Sequence, residues 1–319
     1  MLQKYSVENG RLIQDSPGFP QISIYTRPDE TERRYLIDRC GLDEHTLLSS
    51  TDPDETPRIE FEKDHAAIII KYPKNYSAED NYFFRVKSMG VFLFSAEQSI
   101  IIVLDDDQFI FSTARLPAFP CKTPQDILLR LLYQIIRHFE DHLRTINQVS
   151  DELEHAISGS IENKHLLSMF TLAKGLVYYQ NALNGNRRLI QRMKAAETGT
   201  GVRMIGFTPE NLEQLDDLAI ENQQFLDQAQ IYYEVLGGLL DVRASMINNN
   251  LNVMMKNMNA IVIAISIPTF FTGVGGMSEF TAMLGGKMAW YVAYPLFFGL
   301  MILTALVIYW LIQRAYSSK

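Results

Sequence analysis

Apolar positions follow three patterns in succession along the chain. As far as about Phe119, short β-branched and aromatic runs alternate or run on continuously at Ile22–Tyr25, Ala66–Tyr72, Tyr82–Val86, Gly90–Phe94, Ser99–Leu104 and Phe109–Thr113. Turn-rich pieces such as SSTDPDETP and VLDDDQ separate them, which predicts strands. Asp29 with Glu32 three residues on predicts an N-capped helix reaching about Cys40. Interspersed strands and helices predict an α/β domain, a sheet with helices packed on it.

After Pro120 the period changes to that of a helix. From Thr123, ahead of Pro124, apolar residues recur at Ile127, Leu128, Leu131, Leu132, Ile135, Ile136 and Phe139, predicting a helix to about Ile157. Gly159-Ser160 interrupts it. A second helix is expected from about Glu162 to Ala196, and TGTGVRMIGF is a loop. Thr208-Pro209 then starts a third, with threonine at the N-cap and proline at the first helical position. Gly237-Gly238 weakens this helix without ending it. Continued to Gly275, it measures roughly 100 Å at about 1.5 Å per residue.

The third pattern is continuous apolarity. No charge lies between Lys256 and Glu279, and a second uncharged stretch covers Met288–Ile312. Each is long enough for a bilayer core about 30 Å thick. Trp290, Tyr291 and Tyr294 at one end of the second, and Tyr309, Trp310 and Tyr316 at the other, form aromatic belts. Arg243, Lys256, Arg314 and Lys319 flank the outer ends of the hairpin, whereas Lys287 is the single base in its connecting loop. Positive charge stays inside, so both termini are expected in the cytosol, in a multi-pass protein of the cytoplasmic (inner) membrane. The expected division is 1–122 for the cytosolic α/β domain and 123–257 for a helical and stalk region. Spans follow at 258–275 and 288–312, with an outer loop at 276–287 and a cytosolic tail at 313–319.

Charge sharpens this picture. The formal net charge of −8 arises from the residues before Asn257, since those from Asn257 on carry only Glu279 against Lys287, Arg314 and Lys319. That argues against nucleic acid, which demands a basic face, and suits cations or simple solubility. Cys40 and Cys121 form no CxxC and fit a reducing compartment. The opening MLQKYSVENG lacks the apolar stretch of a secretory signal.

Two helices cannot enclose an aqueous path, so transport requires several copies around an axis. The first span is the better liner. Ser266, Thr269 and Gly273 share one face, and Asn252, Met255, Asn259 and Val262 extend it toward the cytosol, together with Met258 or in its place. The same pattern also suits small-residue helix packing.

The stretch GGLLDVRASMINNNLNVMMKNMNAIVIAISIPTFFTGVGGMSEF resembles the stalk end and first span of the CorA family of divalent-cation channels. Gly238-Leu239-Leu240-Asp241-Val242, Asn252, Met255-Lys256, Pro268, Gly273 and Gly276-Met277 fall at matching places. Pro57-Arg58-Ile59-Glu60-Phe61-Glu62 and the strand pair around Ser99–Phe111 match more weakly. The resemblance implies a homopentamer in membrane lipid, conducting divalent cations, most of all Mg²⁺, which also serves as regulatory ion. Where the family reads Tyr-Gly-Met-Asn, this chain reads Gly275-Gly276-Met277-Ser278. The family's asparagine ring holds a hydrated ion at the outer mouth. Serine is shorter and lacks the amide carbonyl, so Ser278 implies a wider ring and a weaker field, which Glu279 next to it partly replaces or else merely marks the membrane boundary. Carried over without gaps, the family's metal-sensing stalk aspartate falls on Asp217, with Asp52 or Asp54 near the place of its partner.

His138 and His142, four apart on a helix, read as a solvated face or as half of a zinc site. Asp151, Glu152 and Glu154 read as a charged helix end or as an attractor of cations. No catalytic order of residues and no phosphate loop occurs, so an enzyme is not expected. The function readings are a Mg²⁺ channel, a transporter of Zn²⁺, Co²⁺ or Ni²⁺ like the ZntB branch of the superfamily, and a non-conducting membrane-anchored sensor or assembly protein.

Overall fold

The computed structural model describes residues 1–8, 11–14, 21–75, 83–105, 122–159, 163–198, 205–275 and 290–317. Its elements run β1 (Leu2–Glu8), β2 (Arg11–Gln14), β3 (Gln21–Thr26), α1 (Glu30–Asp38), α2 (Glu44–Ser49), β4 (Arg58–Phe61), β5 (Ala66–Pro73), β6 (Val86–Phe94), β7 (Ser99–Leu104), α3 (Pro124–Gly159), α4 (Asn163–Thr198), α5 (Pro209–Gly275) and α6 (Trp290–Ser317). Contacts divide the chain into two compact units, Met1–Leu240 and Asp241–Lys319, and α5 contributes to both.

In the first unit seven strands form one sheet in the order β2-β1-β3-β7-β6-β5-β4. All pairs are antiparallel except β3 with β7, where Gln21 lies opposite Ser99 and Thr26 opposite Leu104. Both faces of the central strands are covered, which explains why they read as unbroken apolar runs. Ile68, Ile70, Val91, Leu93, Ile100 and Ile102 enter a core shared with α3, α4 and α5, while Phe92, Phe94, Ile101 and Val103 pack against Leu36 and Leu47 of α1 and α2. Side chains a strand places alternately up and down thus find an apolar layer either way.

The helix starts follow local chemistry. Asp29 and Glu32 close a reciprocal capping box on α1. Thr123 and Asp126 do so on α3, with each side chain taking the other's backbone amide. Thr208 and Asn211 repeat it on α5. The last two boxes are joined, because Asn211 Nδ2 donates to Asp126 Oδ1 at 2.9 Å. Gly237-Gly238 leaves α5 unbroken, as expected.

Tight approach fixes the layers. A Cβ on Gly185 of α4 would stand 2.6 Å from Cγ of Pro57, just before β4. One on Gly90 of β6 would overlap Ser50, the residue that caps α2.

Some elements differ from expectation. The run expected at Tyr82–Val86 is strand only from Val86, and Tyr82 lies outside the described residues. The strand expected at Phe109–Thr113 and Cys121 also lie outside them. The hairpin β1–β2 and helix α2 were not expected as elements, and β4 was expected only through the family resemblance of Pro57–Glu62. They are short or carry mixed polar residues, and tertiary pairing rather than pattern makes them.

His138 and His142 require a correction. They do not form a solvated face: His142 is buried and His138 half-buried, their rings meet edge-on with centroids 4.3 Å apart, and Nδ1 of His142 hydrogen-bonds the buried hydroxyl of Tyr179 on α4. Phe84 meets His142 edge-on at 5.6 Å. Burial lowers His138 to about 4 against the opposing pull of Asp141. It lowers His142 to about 3, with His138 adding to the effect. His142 thus ties α3 to Tyr179 of α4, and His138 packs against it along α3.

Candidate ion pathway and metal-binding residues

Among the described residues, the second unit contains two helices long and apolar enough to cross a membrane, the later part of α5 and α6 from Pro295 to Ile312. At the far end of α6 the guanidinium of Arg314 lies 5.1 Å over the ring of Trp310. A cation stacked on an indole suits the boundary between lipid and water.

Along the first span, Ala260, Ala264 and Pro268 are buried, four residues apart and so on one face. Asn252, Met255, Met258, Asn259, Val262, Ser266, Thr269 and Gly273 are all exposed. At roughly 100° per residue these eight occupy about a third of the helix circumference, on the side away from the three buried positions. The positions read from spacing as pore-facing thus share one side of the helix, as a helical period requires, while the rest of the span is also exposed apart from those three residues.

The chemistry of that face is graded. Met255 and Met258 are apolar and lie between the amides of Asn252 and Asn259. Further along, Ser266 Oγ donates to the carbonyl of Val262 at 2.7 Å and Thr269 Oγ1 to that of Ile265 at 2.8 Å. Their protons are thereby committed to the helix, leaving the oxygens as acceptors for the waters of a hydrated cation. Pro268 lacks the amide that would take the carbonyl of Ala264, a permitted irregularity where neighbouring chain covers it. Gly275 is the last residue of α5. Gly276, Met277, Ser278 and Glu279 lie outside the described residues.

In the first unit Asp217 is exposed on α5, while its neighbour Asp216 pairs with Lys194 of α4 at 2.5 Å. Asp52 and Asp54 are exposed in the loop before β4. That loop is fastened to the sheet: Ser88 Oγ donates to Asp52 O at 2.5 Å, Lys71 Nζ to Pro53 O, and Asp54 N to Asp52 Oδ1 at 2.9 Å. Burial pushes the Lys71 ammonium below its usual value, and Asp54, Asp52 and Glu55 pull it back. Among the described residues of one chain, no three His, Cys, Asp or Glu side chains gather as a metal site. Asp151 and Glu152 are exposed near the end of α3, each bonded to an amide four residues earlier, Asn147 and Gln148.

Pattern reading missed a second apolar stripe on α4, at Leu167, Phe170 and Val177, and an exposed apolar stretch of α5 at Ile231, Tyr233 and Val235. The signal was present as apolar residues on more than one side of each helix.

A family model described as CorA-like Mg2+ transporter protein matches residues 23–314. The cobalt/magnesium transport protein CorA of Methanocaldococcus jannaschii is 26% identical over 286 residues, covering 87% of this chain and 83% of that one. The complete structure of the CorA magnesium transporter from that organism aligns with a TM-score of 0.75 at 19% identity, over 99% of this chain and 97% of that chain. The ZntB cytoplasmic domain from Vibrio parahaemolyticus aligns at 0.57 and 12% identity, over 78% of this chain and 97% of that chain. The likeness to the complete structure establishes the architecture, an α/β domain followed by long helices and two C-terminal apolar helices, and the ZntB likeness extends to the part outside those apolar helices. With the family model spanning nearly the whole sequence, this chain belongs to the CorA-like Mg2+ transporter protein family.

Proposed function

We propose that this chain is a homopentameric channel for divalent metal cations, most of all Mg²⁺, in the cytoplasmic membrane with both termini in the cytosol. The observation that carries the reading is the graded face of α5 from Asn252 to Gly273, exposed opposite the covered Ala260, Ala264 and Pro268. One such face encloses nothing; several around an axis form a pore with an apolar constriction and a hydroxyl-lined length. Family membership and the name of the curated relative support divalent cargo. Gly275, Gly276, Met277 and Ser278 stand at the outer mouth in this reading, with Ser278 and Glu279 meeting the hydrated ion. Asp217 binds a regulatory cation between copies, relieving repulsion between acidic faces.

The test is metal flux into liposomes, scanned across Mg²⁺, Co²⁺, Ni²⁺ and Zn²⁺, beside the native mass of the detergent-purified protein. A pentamer that passes Mg²⁺ is expected. A monomer or dimer, or an assembly inert to every cation, would overturn it. Asp217→Ala is expected to lose the protection that Mg²⁺ gives against protease, and equal protection would remove Asp217 from the site.

A further inference from the structure

Helix α4 carries more apolar surface than its own chain covers. Leu172, Leu176, Tyr179 and Leu183 are buried in the core, yet Leu167 is 69% exposed and Phe170 65% exposed, with Val177 and Tyr178 continuing the ridge. At the middle of the ridge sits an ordered cluster of cations and rings. Lys174 Nζ lies 5.2 Å from the ring centre of Phe83 and 6.0 Å from that of Tyr178. The Arg85 guanidinium lies 4.6 Å over Phe83, and Phe83 meets Tyr178 edge-on at 6.2 Å. Among the described residues no carboxylate forms a salt bridge with Lys174 or Arg85. An exposed aromatic ridge carrying positive charge is a docking surface for an apolar, acidic partner.

The same unit offers such a surface on α5. Ile231, Tyr233 and Val235 are exposed around Glu234, whose carboxylate accepts from Gln230 Nε2 at 3.1 Å. The antiparallel register of α4 and α5 is fixed by three contacts: Lys194 with Asp216, Asn222 with the carbonyl of Leu183, and Gln180 with that of Ala229. Stepping one residue for one residue from the last of these sets Lys174 level with Val235, beside Glu234. A rotation about an axis along α5 keeps every group at its level, so only surfaces at equal levels can meet between copies. The ridge and the Glu234 surface satisfy that condition.

We infer that the Phe170–Lys174–Tyr178 ridge of one copy docks on the Ile231–Glu234–Val235 surface of a second copy of this chain. The inference rests on the assembly proposed above and names the contact that builds it. Each copy owns one of each surface, so the contact is heterologous and closes as a ring. Lys174 and Arg85 meet Glu234, and the apolar residues on either side exclude water around that pair.

The experiment uses the full chain in native membranes, with Cys40 and Cys121 replaced by serine. Lys174→Cys combined with Glu234→Cys, mildly oxidised, is expected to give a covalent ladder from dimer upward, and neither cysteine alone gives one. Lys174→Glu is expected to lower the assembled fraction several-fold on dilution, and adding Glu234→Lys to restore it. No ladder in a sample whose native mass is pentameric would overturn the docking while leaving the assembly standing. A monomeric parent would overturn both. A fluorophore on Phe170→Cys that lipid-borne quenchers reach would assign the ridge to a membrane surface and overturn the docking.

Discussion

The side chain of Asn186 serves as a missing strand for Lys71. Its Oδ1 accepts from the Lys71 amide at 3.1 Å, and its Nδ2 donates to the Lys71 carbonyl at 2.8 Å. Strand β4 covers β5 only from Ala66 to Ile69, so the next outward-facing peptide group of β5 would otherwise be buried without a partner. The amide of a helix residue fills that place and bolts α4 to the sheet. Asn186→Ala strands one donor and one acceptor, a loss of about 2–4 kcal/mol. Denaturation of the purified protein is expected to show the fall, and an unchanged midpoint would refute the role.

Gly185, the adjacent residue, sets the depth of the same contact. A methyl group there meets the stiff ring of Pro57 rather than a flexible side-chain end. Gly185→Ala is therefore expected to cost about 1–3 kcal/mol despite the better helix propensity of alanine. Relief by Pro57→Ala in the double variant would identify the clash as the cause, whereas additive losses would point elsewhere.

Acid should loosen the α3–α4 contact. His138 and His142 titrate near 4 and 3 in the fold, below the unfolded value of about 6.5. Folding therefore favours their neutral forms: the stability is full above about pH 6.5 and is lost as pH falls toward 4. The loss reaches roughly 2 kcal/mol per histidine by pH 5. Asp141 beside His138 opposes the shift and moderates it. His138→Leu with His142→Phe should flatten the dependence of melting temperature on pH between 7 and 4.5, and a curve parallel to that of the parent would count against this origin.

Cysteine scanning from Asn252 to Gly273 in membranes should show modification by a water-soluble thiol reagent with a helical period. Maxima are expected at Asn252, Met255, Asn259, Ser266 and Thr269, and minima at Ala260, Ala264 and Pro268. A flat profile would defeat the pore assignment.

In the proposed channel, Ser278→Asn should tighten competition between Mg²⁺ and a cobalt hexammine-type blocker, because an amide ring would hold a hydrated ion more firmly than a hydroxyl ring. If the carboxylate ring dominates entry instead, Glu279→Gln reduces flux more than Ser278→Ala does. Flux and block insensitive to both positions would remove this loop from ion selection.

How much of this was legible depends on the range of the interaction. The caps at Asp29, Thr123 and Thr208 were readable because donor and acceptor lie within three residues. The central strands were readable because both of their faces are buried. The helical face from Asn252 to Gly273 was readable because period alone specifies it. Asn186 was not, since its partner is 115 residues away. The histidine pair was misjudged because spacing of four places two rings together without saying which side of α3 meets Tyr179. The partner of Asp217 was illegible for a deeper reason: in the proposed assembly it belongs to another copy.

The parallel seam between β3 and β7 also orders the maturation of the chain. The meander β1–β3 leaves the ribosome with one edge bare and stays so until Ser99 to Leu104 have followed. Such an edge invites pairing with other nascent chains. At about 5–20 residues per second, roughly 8–30 s separate the synthesis of β7 from that of the first apolar span. The two most adhesive surfaces of the growing polypeptide, a bare strand and a lipid-seeking helix, are therefore presented one after the other, and the first is sealed before the second exists.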